Sequence, residues 1–216
     1  MNEWEKLWNN EHFDLFYLLS IFFPAGPWDF FWRWGRYKLF LKAANLCEPD
    51  VIELGCGPGI MSLKIKKTHG GSLTLVDQAK SALIKANYMS KKILKAKEQK
   101  DIYYLNKDFF KMDNYKKYDL VHSQGLIEHF ELDKIIKRHA DFVKKGGYVL
   151  IIAPRDSLMY RFMRKIIEKL YDGWPFGFEV PVNSEKVRKV IEENGLTVIK
   201  EKKFTFCYGC LARRGI

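Results

Sequence analysis

From residue 50 onward, short apolar runs alternate with stretches whose apolar positions recur at helical spacing. Val51-Ile-Glu-Leu54, Ser72-Leu-Thr-Leu-Val76, Ile102-Tyr-Tyr-Leu105, Leu120-Val-His122 and Tyr148-Val-Leu-Ile-Ile152 read as buried strands. Between them the spacing predicts helices over Ile60–Lys67, Ser81–Lys97 and Leu132–Lys144. A further amphipathic helix is expected over Ser157–Leu170, and another from Ser184, capped by its hydroxyl and ended by Asn194-Gly195. Leu196–Ile199 and Phe204–Leu211 look like a closing pair of strands. Continuous apolar strands alternating with helices argue for a mostly parallel sheet covered on both faces.

The first 35 residues break this pattern. They hold Trp4, Trp8, Trp28, Trp32 and Trp34 among several Phe and Tyr. A helix from Trp4 to Leu19 is expected to stop at Pro24-Ala-Gly-Pro27, and a second to run from Asp29 to Leu46. Residues 1–45 thus read as an aromatic-rich helical cap on a domain formed by residues 46–216. Phe13–Phe23, the longest apolar stretch, is shorter than the ~20 residues a membrane helix needs. It follows acidic rather than basic residues, unlike a signal peptide. A soluble, cytoplasmic protein is the expectation.

Composition narrows the choice modestly. With 47% hydrophobic and 29% charged residues over 216 positions, the chain is globular in type. Its net charge of +11 would suit nucleic acid, an anionic lipid surface or an acidic substrate. The lysines are interspersed with acids and form no arginine-rich, aromatic-interleaved stripe, so a solvated surface is favoured over nucleic-acid binding. Cys207-Tyr-Gly-Cys210 has the spacing of half a zinc site but lacks a matching second pair, and no metal is expected.

The chemistry concentrates after the first strand. In Glu53-Leu-Gly55-Cys56-Gly57-Pro-Gly59, three glycines at alternate positions open a helix, where a ligand can approach the backbone. A dinucleotide fingerprint would place its third glycine at residue 60, which is Ile. Glu53 would also repel a pyrophosphate, whereas a cationic ligand without phosphate would be welcome beside it.

That segment resembles the first motif of the class I S-adenosylmethionine-dependent methyltransferases, and further parts follow in order. Val76-Asp77 ends the second strand, Asn106-Lys-Asp108-Phe109 follows the third, and Tyr118 to His129 ends in Gly-x-x-Glu-His. Val143-Lys-Lys-Gly-Gly-Tyr-Val-Leu150 resembles the turn into strand five. The resemblance covers about residues 45 to 211. It implies a Rossmann-like, doubly wound sheet of seven strands whose last strand is antiparallel. It implies S-adenosylmethionine as cofactor and S-adenosylhomocysteine as product. It places Glu53, Gly55, Cys56, Gly57 and Gly59 around the cofactor, Asp77 with Gln78 at the ribose hydroxyls, and Asp108 and Phe109 at the adenine. Ser123, Gln124 and Gly125 would border the methionine moiety.

Taken as residues, Asp77 could equally cap a helix, Asp108 could be a turn acid, and Glu53 could bond loop amides. His129 and Glu128 are the candidates for moving a proton, with a packed imidazole as the bland alternative for His129. The acceptor pocket is expected from the N-terminal cap and from an insertion over residues 155–182. Met159, Phe162, Met163, Trp174, Phe176 and Phe178 would supply apolar walls, and Arg155, Arg161 and Arg164 would meet an anionic group. Such a pocket suits a small or lipid-like acceptor. Packing on the sheet or a homodimer contact would use the same aromatics. An RNA or protein methyltransferase, and a cofactor-binding module without catalysis, remain open.

Overall fold

The structure is a computed structural model; it describes residues 3–9, 26–113, 116–170, 174 and 178–216. The chain divides into two compact units, Met1–Lys111 and Met112–Ile216.

In the first unit, α1 (Glu3–Trp8) and α2 (Gly26–Ala44) precede β1 (Asp50–Leu54), α3 (Ile60–His69), β2 (Ser72–Asp77), α4 (Lys80–Ile93) and β3 (Ile102–Asn106). The strands pair in parallel in the order β3-β2-β1, with Leu54 opposite Val76 and Asp77 opposite Asn106. Parallel pairing brings the carboxyl ends of all three strands to one edge, which is what gathers the glycine loop, Asp77 and Asp108 there. Ile52, Leu54, Leu73, Leu75 and Val76 are fully buried, each stabilising the unit by ~1.5–3 kcal/mol on transfer from water. Met61, Leu63 and Ile65 of α3 face the same core.

The second unit holds β4 (Tyr118–Gln124), α5 (Leu132–Phe142), β5 (Val143–Pro154), α6 (Leu158–Leu170), α7 (Ser184–Glu193), β6 (Leu196–Lys203) and β7 (Cys207–Arg214). β4 pairs with β5 in parallel, and β5 with β7 and β7 with β6 antiparallel. Ile135, Ile136, His139, Ala140 and Phe142 form the buried stripe of α5, at the spacing an amphipathic helix requires. Along the seven-stranded sheet the order is β3-β2-β1-β4-β5-β7-β6. The Rossmann-like doubly wound arrangement with an antiparallel last strand is therefore present.

Several boundaries differ from expectation. α1 is assigned only as far as Trp8, and the remainder of the expected Trp4–Leu19 helix lies outside the described residues. α2 begins at Gly26 rather than Asp29, because Pro27 fits the first helical turn, where its missing N–H costs nothing. α4 ends at Ile93, and a short 3-10 turn, Ala96–Gln99, replaces its expected last turn. α5 stops at Phe142 because Val143 already pairs with Tyr118. Gly146-Gly147 then lies inside β5, where the register slips before Leu120 meets Tyr148. Asn183, not Ser184, caps α7: its side chain accepts from the amides of Glu185 and Lys186. Cys207 and Cys210 sit three residues apart on one strand, so they point to opposite faces of it and cannot share a metal.

Candidate active site

The glycine loop owes its shape to alternation. Gly55, Gly57 and Gly59 all have left-handed backbone angles, φ 62°, 50° and 64°, which residues with a Cβ rarely adopt. Each turn is pinned. Cys56 N–H donates to Val76 O at 3.0 Å, and Gly59 N–H to Cys56 O at 2.8 Å. The Gly57 amide donates to Asp77 Oδ2 at 2.9 Å, while Asp77 Oδ1 accepts from Ala79 N–H at 2.8 Å. Asp77 thus braces the loop from the end of β2 and does not cap α4. A carboxylate has about four acceptor positions, so two such bonds leave capacity for a ligand's hydroxyls. Burial pushes its pKa up, against the pull of those amides.

Glu53 lies beneath the loop, buried, and accepts from Ser62 Oγ at 2.6 Å. Burial raises its pKa to about 8, against the pull of Ser62 and with some help from the Asp77 charge. The carboxyl is therefore mostly protonated at neutral pH and would ionise beside a cation. The Cys56 thiol is buried and pushed well above its ordinary pKa by that burial, so it is no nucleophile. Asn106 donates to the backbone oxygens of Asp77 and Gln78, at 3.1 and 2.9 Å, and fixes the ends of β2 and β3 together. Asp108 accepts from Phe110 N–H at 2.9 Å and so opens a 3-10 turn over Phe109–Lys111. Phe109 is buried against Phe110, with ring centroids 4.7 Å apart.

Against the same loop lies α1, the start of the helix expected from Trp4, although its contacts there carry no local spacing signal. A Cβ on Gly57 would stand 2.7 Å from the Trp8 ring, so the indole lies directly on the loop. Glu5 accepts from the amides of Lys80 and Ser81, at 2.7 and 3.2 Å, at the amino end of α4. A carboxylate is favoured there by the helix dipole. Lys85 also holds Trp8, donating to its backbone oxygen and lying 5.5 Å from the ring centroid.

In the second unit, the segment after β4 is built differently. Ser123 is buried, and its hydroxyl bonds His139 Nε2 at 2.9 Å while His139 Nδ1 meets Ile135 O at 2.7 Å. Burial lowers the pKa of His139 to about 4 and that of His122 to about 3. Both are neutral packing groups, and Ser123 points into the core rather than toward solvent. Gln124 ends β4 half-buried, and Gly125 turns the chain away with φ 63°. Into the space left by its missing side chain comes the Glu128 carboxyl, 3.4 Å from where a Cβ would be.

Glu128 is buried, and its Oε2 has no hydrogen-bond partner among the described residues. Burial and the nearby Glu179 raise its pKa well above the usual range, so it stands as a neutral acid and not as a base. His129 Nδ1 bonds Phe178 O. A donor Nδ1–H leaves the lone pair on Nε2, and burial keeps the ring neutral by lowering its pKa. Glu179, hidden from the sequence reading because it lies in a loop without spacing cues, gathers Tyr160 Oη and Trp174 Nε1. Two of the arginines expected to meet an anion are engaged within the chain. Arg161 pairs with Asp156, and Arg164 pairs with Glu168 while stacking 4.8 Å from the Trp174 centroid. Met159, Phe162 and Phe178 face solvent instead of lining a wall. Phe176 lies outside the described residues.

Residues 31–201 match the model of a family described as Methyltransferase domain. The ubiquinone biosynthesis O-methyltransferase of Rickettsia typhi (strain ATCC VR-144 / Wilmington) is 25% identical over 157 residues, 72% of this chain. The chain spans 59% of the length of that relative. Magnesium protoporphyrin IX methyltransferase from Synechocystis PCC 6803, solved with bound S-adenosylhomocysteine, superposes with a TM-score of 0.66 at 16% identity, covering 84% of this chain and 81% of that one. Geranyl diphosphate C-methyltransferase from Streptomyces coelicolor A3(2) gives 0.66 at 12% identity, covering 83% and 78%. At these identities the structural likeness establishes the fold.

Proposed function

The chain belongs to the methyltransferase-domain family, and from that premise we propose that it moves a methyl group from S-adenosylmethionine to a small, partly apolar acceptor by direct displacement. The observation that carries the reading is the left-handed glycine loop tied to Asp77 through the Gly57 amide, with the Glu53 carboxyl buried beneath it. A pyrophosphate would gain nothing from the Asp77 and Glu53 acids, whereas an ammonium would draw Glu53 into its charged form. Asp77 and Gln78 would take the ribose hydroxyls, Asp108 and Phe109 the adenine, and Gly55 to Gly59 the close backbone contact. Ser123, Gln124 and Gly125 are assigned to the methionine side by family resemblance; of these, Ser123 would act by fixing the β4 end through His139.

The cofactor supplies a carbon electrophile whose leaving group is a neutral sulfide. The protein holds the partners in line and dry. An oxygen or nitrogen acceptor gives up a proton, and His129, neutral with its Nδ1 anchored on Phe178 O, would receive it at Nε2. Glu128, kept protonated, would donate a hydrogen bond. The test is incubation of the full chain with methyl-labelled S-adenosylmethionine and a panel of apolar phenols, carboxylic acids and amines. Label in one acceptor class, with equimolar S-adenosylhomocysteine, is expected. Tight cofactor binding with no label in any acceptor would make it a binding module, and label only in added RNA or protein would move it to another class.

A further inference from the structure

We propose that α6 and the segments tied to it form a docking surface for an anionic lipid bilayer. The observation is a helix face that is apolar, cationic and turned to solvent. Leu158, Met159, Phe162 and Ile166 are exposed, Leu158 by 86% and Phe162 by 60%. At 3.6 residues per turn these positions share one side of the helix with Lys165 and Lys169, and exposed Arg161 borders it. The opposite face is the one that packs: Tyr160 is buried with its hydroxyl on Glu179, and Arg164 bonds Glu179 O and lies over Trp174.

The neighbouring chain adds to the same kind of surface. Phe178, 79% exposed, and Val180 flank Glu179, which α6 grips from its inner side. Ser157 Oγ donates to Thr205 O at 2.8 Å, and Arg155 N–H to Phe206 O at 3.0 Å. The turn carrying half-exposed Phe206, next to Lys202 and Lys203, is thereby fastened to the start of α6.

Large apolar side chains gathered on a surface mark a contact site. Their chemistry selects the occupant. An apolar ridge beside lysines matches the boundary between acyl chains and anionic headgroups, where the ridge enters the apolar layer and the ammonium groups meet phosphate. The net charge of +11 supplies long-range attraction toward such a surface. Arg161 and Arg164 are satisfied by Asp156 and Glu168, so the face offers no convergent site for a small anion. This inference does not depend on the methyl-transfer reading.

The experiment is flotation of the full chain with vesicles of phosphatidylcholine alone and of equal parts phosphatidylcholine and phosphatidylglycerol, at low and high salt. The wild type is expected to float with the anionic vesicles at low salt and to be released at high salt. Leu158→Asp/Phe162→Asp and, separately, Lys165→Glu/Lys169→Glu should each lower partitioning at least about tenfold, with the circular-dichroism spectrum unchanged. Absence of flotation with either vesicle overturns the proposal, as does equal flotation of wild type and both variants. A dimer in sedimentation that Phe162→Asp dissociates, without vesicle binding, would also overturn it by assigning the face to a second copy of the chain.

Discussion

The indole of Trp8 rests on the backbone of Gly57, so close that a Cβ on the glycine would approach it to 2.7 Å. A six-residue helix held by Glu5 at the amino end of α4 and by Lys85 at Trp8 thus reaches the glycine loop. Of the aromatic N-terminal segment, Trp8 is thereby placed directly against the glycine loop.

If Trp8 caps the bound cofactor, Trp8→Ala should weaken S-adenosylmethionine binding by about 1–2 kcal/mol through lost aromatic contact, mainly by faster dissociation. Stopped-flow displacement by excess S-adenosylhomocysteine measures it. Tighter binding in the variant would show that Trp8 competes with the ligand instead of covering it.

Asp77 braces the glycine loop and is the residue proposed to take the ribose hydroxyls. Asp77→Ala removes the acceptor for Gly57 N–H and Ala79 N–H as well as the proposed ribose contacts. Cofactor affinity should fall by roughly 1.5–3 kcal/mol, read by calorimetry on protein whose thermal transition shows that it is folded. Unchanged affinity would remove Asp77 from the site.

If the cofactor's ammonium lies beside Glu53, its binding should depend on pH. Its pKa in the free protein is raised to about 8, so below that value it is protonated. A bound ammonium favours the carboxylate, and a proton must leave on binding. Affinity should therefore rise with pH and level off above about 8, and calorimetry at pH 7 in buffers of different ionisation enthalpy should show proton release. Glu53→Gln should abolish that release. Uptake of protons, or no buffer dependence, would contradict the assignment.

The two candidates after β4 should separate cleanly. Glu128→Gln exchanges a neutral acid for a neutral amide of the same shape, so thermal stability at pH 7 should change by less than ~0.5 kcal/mol. His129→Asn should lower turnover by about 10²–10⁴-fold if Nε2 takes the proton, with S-adenosylhomocysteine affinity unchanged. A flat, wild-type rate in the histidine variant would leave that ring a packing role.

Much of this was legible in the chain because parallel sheets write themselves as short apolar runs, and because a loop with three left-handed positions needs three glycines. Ile52, Leu75 and Val76 are buried where period and composition placed them. What was not legible depends on contacts between residues far apart in sequence. Glu5 meets Ser81 across 76 positions, and His129 meets Phe178 across 49; no local spacing encodes either pair. Ser123 looked like a cofactor residue, yet its partner is the buried ring of His139, whose helical position marked it only as one more member of a core stripe. Phe162 and Met159 looked like pocket walls, since an apolar residue does not declare whether its face meets the core or solvent.

Calorimetric titration of the full chain with S-adenosylhomocysteine, with NAD as the control, tests the glycine loop most directly. One-to-one binding of the adenosyl thioether and none of the dinucleotide is the predicted result. Binding of NAD, or of neither, would contradict a crevice built for a nucleoside cation without phosphate.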